Sequence, residues 1–378
     1  MKILIAGDFC PQNRVAKAFE GDDFATVLAD ITVVTGGADY SIVNLECPVV
    51  MRRATPIAKS GPNLKCSGKA INAIRFSGFD CVTLANNHFY DYGETGVKDT
   101  LDTLRLNGLD YVGGGDSISE ASRILYKGIA GKTLAIINCC EHEFSIATET
   151  TGGSNPLNII QQYYSIQEAK MNADYVVMII HGGVEHFWLP TQRMKETYHF
   201  FVDAGADAVI NHHQHCYSGY EVYKGAPIFY GLGNFCFDGD AGDERWTSGY
   251  MVLLSLGDER LEYELIPYRQ CAVDNAVCLM HGDEKKRFFE IITGINSSIS
   301  DSNKNQCEYE RWCKKNEDIY KYALNPLYNR HTAWFFNGPL GKLLIKKNKW
   351  LYTKDILINE SHIERALMMV ENQIKNSK

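Results

Sequence analysis

Short apolar runs recur along the first two thirds of the chain, and helical spacing fills the intervals between them. Lys2–Ala6, Ser41–Asn44, Cys81–Ala85, Leu134–Cys139, Tyr175–His181 and Ala208–Asn211 are mostly apolar and too short for helices, so they read as buried strands. Lys69–Ser77, Thr95–Asn107, Ile166–Ala173 and Gln192–Ala204 repeat apolar positions at three- and four-residue intervals and read as helices. Strand and helix alternating in this way predict crossover units covering a largely parallel sheet. After residue 215 the rhythm changes. "GYEVYKGAPIFYGLGNF" and "GYMVLLSLGDERLEYELIPY" read as hairpins turning at Lys224-Gly225 and Gly257-Asp258, which predicts a second, more antiparallel sheet.

From about residue 280 polar helical patterns take over, at 284–300 and 305–324. Pro326 and Pro339 then interrupt the chain before a last helix at 361–375, with Ser361 as its N-cap and Glu364 completing a capping box. The expected division is a main domain over 1–275 and a mainly helical extension over 276–378.

Composition narrows the class. The chain has 378 residues, 45% of them apolar, enough for a large buried core. A net charge of −8 argues against a general nucleic-acid binder. The twelve cysteines contain no CxxC pair, and Cys10, Cys47, Cys66, Cys81, Cys216 and Cys236 stand singly in apolar runs, as reduced buried thiols do. "MKILIAGDF" enters a strand at once, without a basic leader or an apolar signal core, and no run of about 18 apolar residues occurs. A cytoplasmic location is therefore expected. Residues 341–352, "GKLLIKKNKWLY", mix lysines with apolar side chains. They suit peripheral contact with an anionic membrane face, or else a solvated edge packed on the main domain.

In a doubly wound sheet ligands gather at the carboxyl ends of the strands. Here those exits carry Gly7-Asp8, Asn44-Leu45-Glu46, Asn86-Asn87-His88 with Asp91 beyond, His181, and His212-His213-Gln214-His215. One such residue would be an ordinary cap or core group. Five exits offering carboxylate, carboxamide or imidazole point to a shared site for Zn, Mn or Fe. In an extended segment His213 and His215 would point the same way, because strand side chains alternate.

Taken in order, GD, NLE, ANNHxxDxG, HGGxE and HxH followed by YGLGNFxFD resemble the bacterial capsule synthesis family of the CapA or PgsA type, associated with poly-γ-glutamate. The resemblance covers roughly residues 1–270. It implies an α/β, metallo-dependent phosphatase-like layered sandwich of two mixed sheets flanked by helices, with the helical extension appended. It also implies one or two divalent transition metal ions, with Asp8, Glu46, Asn87, His181, His213 and His215 as ligands. His88 would face the substrate, with Asp91 orienting its imidazole, and His212 would be structural or would support the ligands from behind.

Phosphoesterases have a histidine where this chain has Cys10, which either ligates as a thiolate or leaves that position weakly held. Relatives commonly have Trp where Gly182 stands, which would widen the pocket or remove a stacking surface. Glu185 is a candidate base or a surface carboxylate. Asn234 is a candidate oxyanion donor or part of a tight turn, and with His186 it is assigned to substrate binding. The expected function is a metal-dependent hydrolase in synthesis or processing of poly-γ-glutamate or another envelope polymer. Its partners would be an anionic polymer or small precursor and polymer-assembly proteins. A non-catalytic scaffold subunit and a generic cytosolic metallophosphodiesterase are the alternatives.

Overall fold

Alternation within the first strand decides the layering. In β1 (Lys2–Phe9), Ile3 and Ile5 point to one side and Leu4 and Ala6 to the other, and all four are fully buried. The computed structural model describes residues 1–257, 261–317 and 347–376, together with Tyr320, Trp334 and Pro339. Within it Ile3 and Ile5 pack against Val177, Ile179 and Ile210 of a second sheet. Leu4 and Ala6 share a different core with Val27, Leu28 and Ile31 of helix Phe24–Thr35 and with Ile71 and Ile74 of helix Lys69–Phe76. The result is helix, sheet, sheet, helix.

The first sheet has eight strands. Its parallel half is β1, β2 (Tyr40–Leu45), β3 (Cys81–Thr83) and β4 (Asp110–Val112). The second has six strands, with β7 (Lys132–Cys140), β9 (Tyr175–His181), β10 (Ala208–His212) and β12 (Ala226–Phe229) parallel and β6 (Leu125–Ile129) antiparallel at one edge. Two dipeptides, β5 (Gly114–Gly115) and β8 (Gly153–Ser154), pair separately. Helices Ile159–Asn172 and Gln192–Ala204 cover the outer face of the second sheet.

The two hairpins do not form a sheet of their own. β11 (Tyr220–Tyr223) and β12 extend the second sheet beside β10. β14 (Ser248–Leu256), β15 (Leu261–Gln270) and β16 (Val277–Leu279) extend the first beside β1, and β13 (Asn234–Cys236) lies along the end of β1. The sequence pattern specifies pairing inside a hairpin, whereas open edge groups of the parallel sheets decide where each hairpin docks. Lys224 and Gly225 both have positive φ, 50° and 91°, as a two-residue primed turn requires. At the other expected turn Asp258 lies outside the described residues.

The expected boundary at 275 falls between the paired strands β15 and β16. Helix Gly282–Ser300 buries Phe288 and Ile292 in the core between the sheets. Helix Ser302–Lys315 sets Tyr309 against Phe187, with ring centroids 5.5 Å apart. Helices Lys347–Ile358 and Glu360–Asn376 follow. The cap of the last helix is Asn359, whose Oδ1 accepts from the His362 amide at 2.9 Å, and not Ser361. Ser361 and Glu364 are instead taken up by Arg193. Of the basic stretch 341–352, residues 341–346 lie outside the described residues and the remainder begins the helix Lys347–Ile358. Among the described residues no helix is long and apolar enough to cross a membrane. All twelve cysteines are free thiols.

Candidate metal centre

Both sheets end their parallel strands at one seam. Asp8 and Asn44 face each other in register on β1 and β2, and His181 and His212 do so on β9 and β10. β1 can close on the seam because residue 7 is glycine: a Cβ there would stand 2.0 Å from the Gly233 carbonyl oxygen. Asn44 donates from Nδ2 to Asp8 Oδ1 at 2.7 Å and so fixes the carboxylate.

The side chains make three overlapping donor sets: Asp8, His181 and His212; Glu46, His181 and His213; Asp8, Glu46 and His215. Within each set the ligand atoms lie within 4.8 Å of one another, and every residue is buried. His181 Nε2 stands 3.5 Å from Glu46 Oε1, 3.0 Å from His213 Nδ1 and 3.0 Å from Asn87 Oδ1. His215 Nε2 is 3.7 Å from the same Glu46 oxygen. Glu46 has no exposed surface, and among the described residues neither oxygen has a hydrogen-bond partner. Burial, then the facing Asp8, push its carboxyl well above the ordinary carboxylate range. Burial and the neighbouring His213 push His181 well below the ordinary imidazole value, keeping it neutral. An orphaned carboxylate among neutral imidazoles is the donor chemistry a divalent cation takes, so these residues fit the metal the sequence led one to expect.

His213 and His215 reach this cluster by another route than strand alternation. β10 stops at His212, and His213 (φ 96°) and His215 (φ 55°) are both left-handed, conformations that cost non-glycine residues energy. His215 is then held by Asn234, whose Oδ1 is 2.9 Å from His215 Nδ1 and whose Nδ2 donates to the His215 carbonyl. Asn234 is thereby committed and does not serve as a free oxyanion donor. His212, set aside as structural, belongs to a donor set; its ring lies near the Ala6 carbonyl without a well-formed hydrogen bond.

His88 lies at the edge of the cluster. Its Nδ1 is 2.7 Å from Asp91 Oδ2 and 3.1 Å from Lys59 Nζ, and Lys59 and Asp91 form a buried ion pair. Burial and then Lys59 lower the imidazole's pKa. Glu185 and His186 lie at the solvent-exposed mouth, where His186 stacks on Trp246 with centroids 6.1 Å apart. Cys10 joins none of the donor sets. Its Sγ accepts from Gln12 Nε2 at 3.4 Å, and the Cys47 thiol sits beside it and Cys66. The room beside Gly182 is not open pocket either, since a Cβ there would meet Glu141 Cγ at 2.6 Å.

Glu141, Glu143 and Lys59 were missed by the sequence reading. Glu141 and Glu143 follow the exit of β7, so the rule that found the other exits would have found them. Glu143 Oε1 is 3.9 Å from His213 Nε2. Glu141 takes Arg193 Nη2 at 2.6 Å and Ser361 Oγ at 2.8 Å, and Arg193 Nε reaches Glu364 at 3.0 Å. This network fastens the last helix beside the cluster. Lys59 carries no strand-end signal at all.

The sequence matches the bacterial capsule synthesis protein PGA_cap over residues 2–239. It is 34% identical over 257 residues to the capsule biosynthesis protein CapA of Bacillus anthracis, covering 65% of this chain and 61% of that protein. It is 33% identical over 244 residues to the PGA biosynthesis protein CapA of Bacillus subtilis (strain 168), covering 64% and 63%. The chain thus spans about three fifths of the length of these curated relatives. Among solved structures, a 5'-nucleotidase precursor from Thermus thermophilus superposes with a TM-score of 0.42 at 10% identity, over 74% of this chain and 54% of that one.

Proposed function

The chain belongs to the bacterial capsule synthesis protein PGA_cap family, and from that membership and the donor cluster we propose that it is a metal-dependent hydrolase acting in synthesis or processing of an anionic envelope polymer. The observation that carries the reading is Glu46, fully buried, with both oxygens unpartnered and two imidazoles within 3.7 Å of one of them. A buried carboxylate in that state is costly unless a cation completes it.

Asp8, Glu46, His181, His213 and His215 would hold the ion, with His212 and Asn87 beside them. A bound divalent cation would supply Lewis acidity and a nucleophile at neutral pH. The rest falls to the chain's own groups. Lys59 and Asp91 pin His88 through Nδ1, leaving its Nε2 to take or return a proton at the substrate. Glu185, exposed at the mouth, is placed to accept a proton or to steer a substrate group. Asn234 keeps His215 in its left-handed turn. Twelve free cysteines suit a reducing compartment, so we place the proposed action on the cytoplasmic side, on a precursor or polymer end.

The test is metal content of the purified protein by mass spectrometry, with turnover of phosphoesters and γ-glutamyl peptides measured as Mn, Zn or Fe is added. At least one tightly held ion and metal-dependent turnover are expected. Absence of both sinks the reading. Cys10 favours a second reading, a binding or scaffold subunit of a polymer-assembly complex, because a position that phosphoesterases fill with a ligand is here turned into a thiol cluster. Metal retention without any turnover would support it.

A further inference from the structure

The donor cluster adjoins a cavity on its C-terminal side. The cavity, of about 300 Å³, lies between the cluster and the C-terminal helices, at the small end of ligand pockets. It is lined by Asn87, His88, Glu143 and Glu185, with Asp355 and Arg365 contributed by the last two helices.

Among the described residues the charges of this cavity are only partly matched. Lys59 is spent on Asp91. Asp355 is 6% exposed; its Oδ2 accepts from Ser60 Oγ at 2.6 Å and lies 3.7 Å from His362 Nε2, while Oδ1 has no partner among the described residues. Glu143 accepts one neutral bond, from Asn359 Nδ2 at 3.0 Å. Arg365 is 9% exposed and lies over Trp312 and Tyr320, 5.5 and 5.4 Å from their centroids. Its polar contacts are the Ser361 carbonyl at 3.2 Å and His362 Nδ1 at 2.9 Å, and among the described residues it has no carboxylate ion-pair partner. A purely anionic ligand would meet Glu143, Glu185 and Asp355, and a purely cationic one would meet Arg365. One kind of occupant suits both ends.

We propose that the cavity binds a compact zwitterion, its primary ammonium group against Asp355 and Glu143 and its anionic group at Arg365, so that the C-terminal helices complete the substrate site and select a free amino end. The inference rests on reading the adjoining cluster as the catalytic centre, and it assigns to Asp355 and Arg365 a specificity role outside the part of the chain that matches the family.

The experiment is calorimetric titration of the full chain, loaded with Mn, by γ-glutamylglutamate and by its N-acetyl derivative, which lacks the ammonium group. The dipeptide is expected to bind about tenfold more tightly than the acetylated form. Asp355→Asn should erase that preference, and Arg365→Gln should weaken both probes, with metal content unchanged. Equal affinity of the two probes for the unaltered protein, or no binding of either at millimolar concentration, overturns the proposal without need of any variant. So does an extra equivalent of Mn that disappears in Asp355→Asn, which would make the carboxylates a second cation site. Loss of the hydrolase reading is separately visible, as ammonium-dependent binding that persists without metal retention or turnover.

Discussion

Replacing Glu46 by glutamine should strengthen the metal-free fold and abolish its response to metal. In the metal-free protein the carboxylate is desolvated, faces Asp8, and has no hydrogen-bond partner. A buried polar group in that position costs about 1–3 kcal/mol, and a glutamine amide is neutral and can donate without first taking up a proton. At about 2 °C per kcal/mol, the lower end for domains and the one suited to a longer chain, the gain is about 2–6 °C in Tm at pH 7.5. The pH dependence has a definite sign. The folded pKa of Glu46 lies above its unfolded value, so between the two the folded state binds a proton that the unfolded state has released. The metal-free parent is therefore most stable below the unfolded value and loses that increment as pH rises through the folded one, while Glu46→Gln is flatter across this window. Adding Mn at about a hundredfold excess over Kd should restore about 2.7 kcal/mol to the parent and little to the variant. Differential scanning calorimetry between pH 5 and pH 8 (roughly the window of maximal stability), with and without Mn, reads all three effects. A variant less stable than the metal-free parent at pH 7.5 that keeps its full Mn response would refute the reasoning.

Arg193→Met should leave Glu141 and Glu364 without their shared cation and cost about 2 kcal/mol, the worth of a charge-assisted bond; limited proteolysis should then release the last helix faster. Gly182→Ala drives a methyl into Glu141 Cγ and should destabilise by about 1–3 kcal/mol in chemical denaturation, where an unchanged midpoint would mean the loop yields freely. Cys10→His should overpack the thiol cluster with Cys47 and Cys66, lower the Tm and add no bound metal by mass spectrometry. Asn234→Ala frees the His215 ring and should weaken metal affinity about 10–100-fold with little change in fold by circular dichroism.

What could be read from the sequence was what depends on local period. The parallel strands and their helices follow from apolar runs and from three- and four-residue spacing, and the strand-end rule found Asp8, Glu46, Asn87, His181, His213 and His215. The rule for the last two was wrong in detail, because it assumed that β10 continues, and a left-handed residue leaves no mark in an apolar pattern. Cys10 could be judged only by what lies opposite, and that is Gln12 and Cys47. The docking of the C-terminal helices was equally hidden. It depends on pairs such as Arg193 with Glu141 and with Glu364, 52 and 171 residues apart, which no window on the sequence relates.

The donor cluster belongs to neither sheet alone. Asp8 and Glu46 come from the exits of the first sheet, and His181, His212, His213 and His215 from those of the second, while Ile3 and Ile5 pack against Val177 and Ile179 behind them. Each sheet end carries like with like: carboxylates repel on one side, and neutral imidazoles crowd on the other. Apolar packing between the sheets therefore presses together groups that gain nothing from meeting without a cation. A cation held there would act across the seam as a link between the two halves, and its binding energy would add to the stability of their packing. The C-terminal helices, tied down through Glu141, Glu143 and His142, border that seam, so the same contacts that hold them in place also hold the cluster's surroundings together.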